Sequence, residues 1–127
     1  MANGIKEITV EIGGDTSGLD KGLKGVNYTI KNTQSKLCDV NRLLKLNSSN
    51  AKLLVQKQQL LQNEISETSE KLKALKEADQ YAKVQLENGE LGQDKYDALQ
   101  RGIIETENNL KSLEEEVKKY HQPYLFL

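Results

Sequence analysis

Apolar residues recur every three or four positions over most of this chain, and no other property narrows its folding choices as much. Leu19, Leu23, Val26, Ile30, Leu37, Val40 and Leu44 follow one another at alternating intervals of four and three, with Thr33 filling the one gap. A second stripe runs through Leu54, Gln58, Leu61, Ile65, Thr68, Leu72, Leu75, Asp79, Ala82 and Leu86. A third takes Tyr96, Leu99, Ile103, Thr106, Leu110, Leu113, Val117 and Tyr120. Sustained 3.5-residue periodicity keeps a narrow apolar seam facing a partner helix. The expected fold is mainly α, with three long amphipathic helices forming a coiled-coil hairpin or bundle. Helices of roughly 30, 38 and 27 residues would be about 45, 57 and 40 Å long.

The punctuation between stripes supports this division. Residues 46 to 50, Leu-Asn-Ser-Ser-Asn, form a polar break rich in capping side chains, and Asn88, Gly89 and Gly92 supply a stop and a restart. With Gly92 as the cap of the third helix, Leu91 and Tyr96 occupy the two positions of a hydrophobic staple. Short links of this kind favour antiparallel neighbours. Before the first stripe, Ile8, Val10 and Ile12 alternate with Thr9 and Glu11 and predict a strand from Ile5 to Ile12. Gly13 and Gly14 end it, and Asp15, Thr16 and Ser17 offer side-chain oxygens for a helix beginning near residue 16. The expected organisation is a strand arm over 1–14, a three-helix region over 15–120 and an irregular tail over 121–127. That tail carries the only proline, Pro123. A lone strand leaves its amides unpaired, so this one should pair with another copy or dock on the helices through Ile8, Val10 and Ile12.

Composition then removes whole classes of function. The chain has 127 residues with 18 basic and 19 acidic side chains, a net charge of -1 and no strong field for nucleic acid or anionic lipid. It has five Tyr, one Phe and no Trp, and narrow Leu, Ile and Val seams replace the large aromatic core of a globular domain. One Cys and one His cannot build a structural zinc site or an internal disulfide. No stretch approaches the roughly 20 apolar residues of a membrane span, and no secretory pattern opens the chain. Asn27 and Asn47 match the glycosylation pattern, but in a cytoplasmic product they would not meet the machinery.

The candidates for chemistry are few. A strand, Gly13, four residues and Gly18 copy half of a phosphate-binding loop, but Leu19 and Asp20 stand where Lys and a hydroxyl are needed. Gly18, Gly22 and Gly25 read instead as a loosened helix start or a close approach of another backbone. His121 has no second ligand near it in sequence, and Cys38 falls on the flank of its stripe as an exposed thiol. Neither the Glu114, Glu115 and Glu116 run nor any other acid pair has a pocket to separate its pKa values. Glu67 with Lys71, Glu107 with Lys111, Glu114 with Lys118 and Glu115 with Lys119 place each acid four residues before a base, as on a solvated helix face. The expectation is no enzyme, no cofactor and no metal. Of the polar residues in the stripes, Thr33, Gln58, Thr68, Asp79 and Thr106, Gln58 and Asp79 are the first choices for setting register or oligomer number.

Three segments carry a family resemblance: MANGIKEITVEIGGDTSGLDKGLKGVN, TQSKLCDVNRLLKLNSSNAKLLVQKQQLL and LENGELGQDKYDALQRGIIETENNLKSLEE. Together they look like the amino-terminal region of tail tape measure proteins from long-tailed phages and prophages of Gram-positive bacteria, over about residues 1 to 119. The resemblance implies a structural virion protein that lies in the tail tube, sets tail length, is coated by tail assembly chaperones and leaves ahead of the DNA. It further implies assembly in the host bacterial cytoplasm and residence in the virion tail. The seams add an expected homo-oligomer. Two departures stand out. Family members commonly have Asp-Pro-Gly where this chain has Asn47, Ser48 and Ser49, and its last residues, HQPYLFL, do not resemble the family's continuation. Even fully helical, 127 residues span roughly 190 Å, too short for a tail ruler. The expectation is therefore a truncated reading frame, a prophage remnant or a split amino-terminal part. The alternative is a cytoplasmic coiled-coil chaperone or adaptor resembling prefoldin, although in that family helices flank central strands.

Overall fold

The structure is a computed structural model that describes residues 17–125, with side chains from Leu19 to Lys119. Three helices make up these residues: α1 (Ser17–Leu46), α2 (Ala51–Glu87) and α3 (Gln93–Leu125). The strand expected at Ile5–Ile12 and its face, Ile8, Val10 and Ile12, lie outside the described residues.

Both turns are built by the side chains that the sequence marks out. Asn50 caps α2, its Oδ1 accepting the Leu53 amide at 3.0 Å while its carbonyl accepts the Leu54 amide at 3.0 Å. That satisfies donors which every helix start leaves orphaned. At the other end, Gly89 has φ 75°, the left-handed conformation that costs an L side chain energy. Its amide donates to Leu86 at 3.1 Å and the Glu90 amide to Gln85 at 2.8 Å, which closes the last turn of α2 as a Schellman motif. The Tyr96 amide then donates to the Gly92 carbonyl at 3.1 Å, so Gly92 starts α3. Leu91 is buried, and Tyr96 packs on the same cluster as the staple pattern requires.

Links this short fold the helices back on one another, so α2 runs antiparallel to both neighbours and packs against each. One hydrophobic cluster gathers all three helices. There Leu19, Leu23 and Val26 of α1 meet Ala74, Leu75, Ala78 and Ala82 of α2 and Leu91, Leu99 and Ile103 near the start of α3. Ala78 and Ala82 are fully buried. Small side chains at four-residue spacing form a low ridge that lets the neighbouring helices come close.

Every apolar seam position from Leu19 to Val117 is buried or half-buried: Ile30, Leu54, Ile65, Leu72, Leu86, Tyr96, Leu110, Leu113 and Val117 are the half-buried ones. Three expectations need correction. First, α3 runs through Pro123 to Leu125, so residues 121–125 are helical rather than an irregular tail. Second, among the described residues a Cβ added at Gly25 would meet nothing within 4 Å, which leaves the loosened helix start as the reading of that glycine. Third, Glu67, assigned to a solvated face, is half-buried and accepts from Thr33 of the neighbouring helix at 3.1 Å, whereas Glu107 stays exposed and pairs with Lys76 at 3.3 Å.

Candidate functional site

Beyond this cluster a polar belt crosses the bundle interior, which turns apolar again at Leu37, Val40, Leu44 and Leu61. Each helix brings one threonine from its heptad stripe to the same level: Thr33, Thr68 and Thr106, all buried. The Thr33 hydroxyl donates to Glu67 Oε2 on α2, while the Thr106 hydroxyl donates to the Gly102 carbonyl of its own helix at 2.7 Å. A cleft of about 310 Å³ runs between the helices here, with Gln34, Glu64, Thr68, Lys71 and Thr106 among its walls.

Glu64 dominates the belt. It is only 6% exposed, and its carboxylate accepts the Gln34 amide at 3.0 Å across the α1–α2 boundary. Burial raises its pKa above the ordinary carboxylate value; the Gln34 hydrogen bond opposes that rise, and the charges of Glu67 and Glu116 add to it. Two turns away on the same face, Lys57 is 7% exposed and its ammonium lies 4.0 Å from Glu116 of α3. Its aliphatic stem fills apolar space while the charged end finds a carboxylate. Two oxygens in this half, Glu67 Oε1 and Asn41 Oδ1, are buried without a hydrogen-bond partner.

A second polar contact fixes α3 on α2. Asp79 stands at a seam position, and its Oδ1 accepts the Gln100 amide at 2.6 Å while Oδ2 lies 3.4 Å from Lys83. It also accepts the Tyr96 hydroxyl, and the phenol's pKa is raised by burial first and then by the Asp79 charge and hydrogen bond. A carboxylate held by an amide and a phenol from the facing helix admits one register, because a shift of one turn strands all three groups. Gln58, the other stripe residue singled out, is half-buried.

The sequence pattern missed Lys57, Glu64, Ala74, Ala78 and Gln85, all buried on α2. They fall beside the second stripe because α2 lies between two helices and must bury two adjacent faces. The available signal was the line of small residues Ala74, Ala78 and Ala82. Cys38 is exposed as expected, Gly18 and Asp20 lie in the first turn of α1, and the Leu19 between them is a core residue. His121 lies on α3.

What the arrangement does chemically is specify: the apolar cluster supplies cohesion, and the belt with Asp79 selects register and neighbours at a cost in stability. Among the described residues no three or more His, Cys, Asp or Glu are grouped to hold a metal ion, and no helix is long and apolar enough to cross a membrane. Compared with known proteins, the chain matches no family model, no curated protein and no solved structure.

Proposed function

We propose that this chain is a structural, tape-measure-like tail protein of a phage or prophage with a Gram-positive host, acting in tail assembly as a self-associating helical module. One observation carries the reading. The second and third resembling segments, residues 33–61 and 86–115, straddle the two helix turns at 47–50 and 88–92, so the resemblance falls where sequence dictates shape most strictly. Its partners on this reading are further copies of itself, the tail tube and the tail assembly chaperones, in the host cytoplasm during assembly and then in the virion tail.

The dimensions favour an assembly role over a ruler. A 37-residue helix is about 55 Å long, and three such helices folded side by side extend no further. Folding back in this way divides the length gained per residue by about three relative to one continuous helix. The bundle therefore serves as a docking or nucleating element.

Mass spectrometry of tails purified after prophage induction tests the proposal. The chain should be present in assembled tails and should co-purify with tube and chaperone proteins. Its absence from tails, together with suppression of aggregation of an unfolded client, would overturn the proposal in favour of a prefoldin-like chaperone.

A further inference from the structure

α1 carries a second stripe, opposite the one buried on α2. Tyr28, Asn32, Ser35, Asp39, Arg42 and Leu46 follow at intervals of four and three, and all six are exposed. Tyr28 is 73% and Leu46 82% exposed, both high values for large apolar side chains in a folded chain. They are 18 residues apart, five whole turns at 3.6 residues each, so they project in the same direction.

The stripe is complementary to itself when reversed. Tyr28 and Leu46 lie nine residues on either side of Leu37, Asn32 and Arg42 five, and Ser35 and Asp39 two. A two-fold axis beside Leu37 therefore pairs each residue with a matching partner on an antiparallel copy. Tyr28 meets Leu46, the Arg42 guanidinium meets the Asn32 side-chain carbonyl, and the Ser35 hydroxyl meets the Asp39 carboxylate, each contact occurring twice. Lys36 adds charge complementarity, because reversal places it against Asp39 of the second copy. Within one chain Arg42 and Asp39 are 3.8 Å apart and highly exposed, a pairing too weak to compete with a better-enclosed one. Isologous contacts of this kind close into a dimer and stop there.

We infer that the outer face of α1 is a homodimer interface on which a second copy of this chain docks antiparallel, with its two-fold axis beside Leu37. The inference rests on the self-association part of the proposed function and adds its surface, orientation and register. The interface is short and its centre polar, so the dimer is reversible and concentration-dependent, with Tyr28 and Leu46 as its apolar anchors.

Sedimentation and cysteine cross-linking test this. Leu46→Glu and Tyr28→Glu alter exposed side chains, so helicity should be unchanged while association weakens by about tenfold or more. For orientation, Asn32→Cys with Arg42→Cys in a Cys38→Ser background places two thiols about 15 Å apart along one helix, too far to bridge within a chain. Antiparallel docking yields a covalent dimer joined from position 32 to position 42. Links joining like positions, or an oligomer indifferent to Leu46→Glu, overturn the surface and leave self-association standing. A wild-type chain that sediments as a monomer at every accessible concentration overturns both, whatever the tail experiment shows.

Discussion

Replacing Glu64 with Gln should stabilise the bundle at neutral pH, although it alters a buried, hydrogen-bonded residue. The variant keeps side-chain volume and a carbonyl oxygen for the Gln34 amide, at 3.0 Å in the native chain. It removes a charge that burial disfavours and that Glu67 and Glu116 repel. Exchanging a buried charge for a neutral group of the same shape gains about 1 kcal/mol or more. For a chain of this size that raises Tm by about 4 °C. The sign of the pH dependence follows from the raised pKa. Because the folded state holds the Glu64 proton more tightly than the unfolded chain, native stability from this group rises as pH falls through the folded pKa. The advantage of Glu64→Gln is therefore full at neutral pH, shrinks below the raised folded pKa, and vanishes below the ordinary value of 4.5. Urea denaturation of both proteins across that range measures it, and only the difference between them matters, since acid acts on the rest of the bundle in both. A variant that is destabilised at neutral pH, or whose difference from wild type does not change with pH, would refute the reasoning.

Substitutions at three other positions examine a turn, the register and the core. Gly89→Ala should lower stability by about 1 kcal/mol, seen as a reduced urea midpoint. The Cβ would meet nothing within 4 Å, so the whole cost is the left-handed backbone at φ 75°, and Gly89→Asn should cost less. Asp79→Ala should cost about 1–2 kcal/mol by leaving Gln100 and Tyr96 without their acceptor. Asp79→Asn should lower the pH at which Tyr96 ionises, read from phenolate absorbance. Ala78→Leu should destabilise by about 1–3 kcal/mol, because Ala78 is fully buried where three helices converge. A control such as Gly102→Ala, half-buried but with open space around the added Cβ, should be neutral or slightly stabilising.

Local rules were enough to place the three helices. The stripe from Leu19 to Leu44 needed only its own period, and α1 begins at Ser17 close to the expected start. The two turns were legible because their chemistry is self-contained: Asn50 caps through its own side chain, and Gly89 takes a conformation that other residues avoid. Asp79 was legible as a register setter because an acid in an apolar seam needs a partner, although Tyr96 and Gln100 could not be named beforehand.

Over the described residues, the sequence by itself thus determined how many helices form, where they turn and which apolar seam each hides. Only the tertiary structure decided that α2 lies in the middle. A helix with one neighbour buries one seam, but one between two neighbours buries a second strip beside it, and that strip in α2 contains Lys57, Glu64 and Gln85. Their seven-residue spacing carries no apolar signal that would mark them as internal, because each is an ordinary surface residue until a third helix covers it. Burial then turns Glu64 from a solvated acid into one whose charge opposes folding, through desolvation that only the assembled bundle imposes.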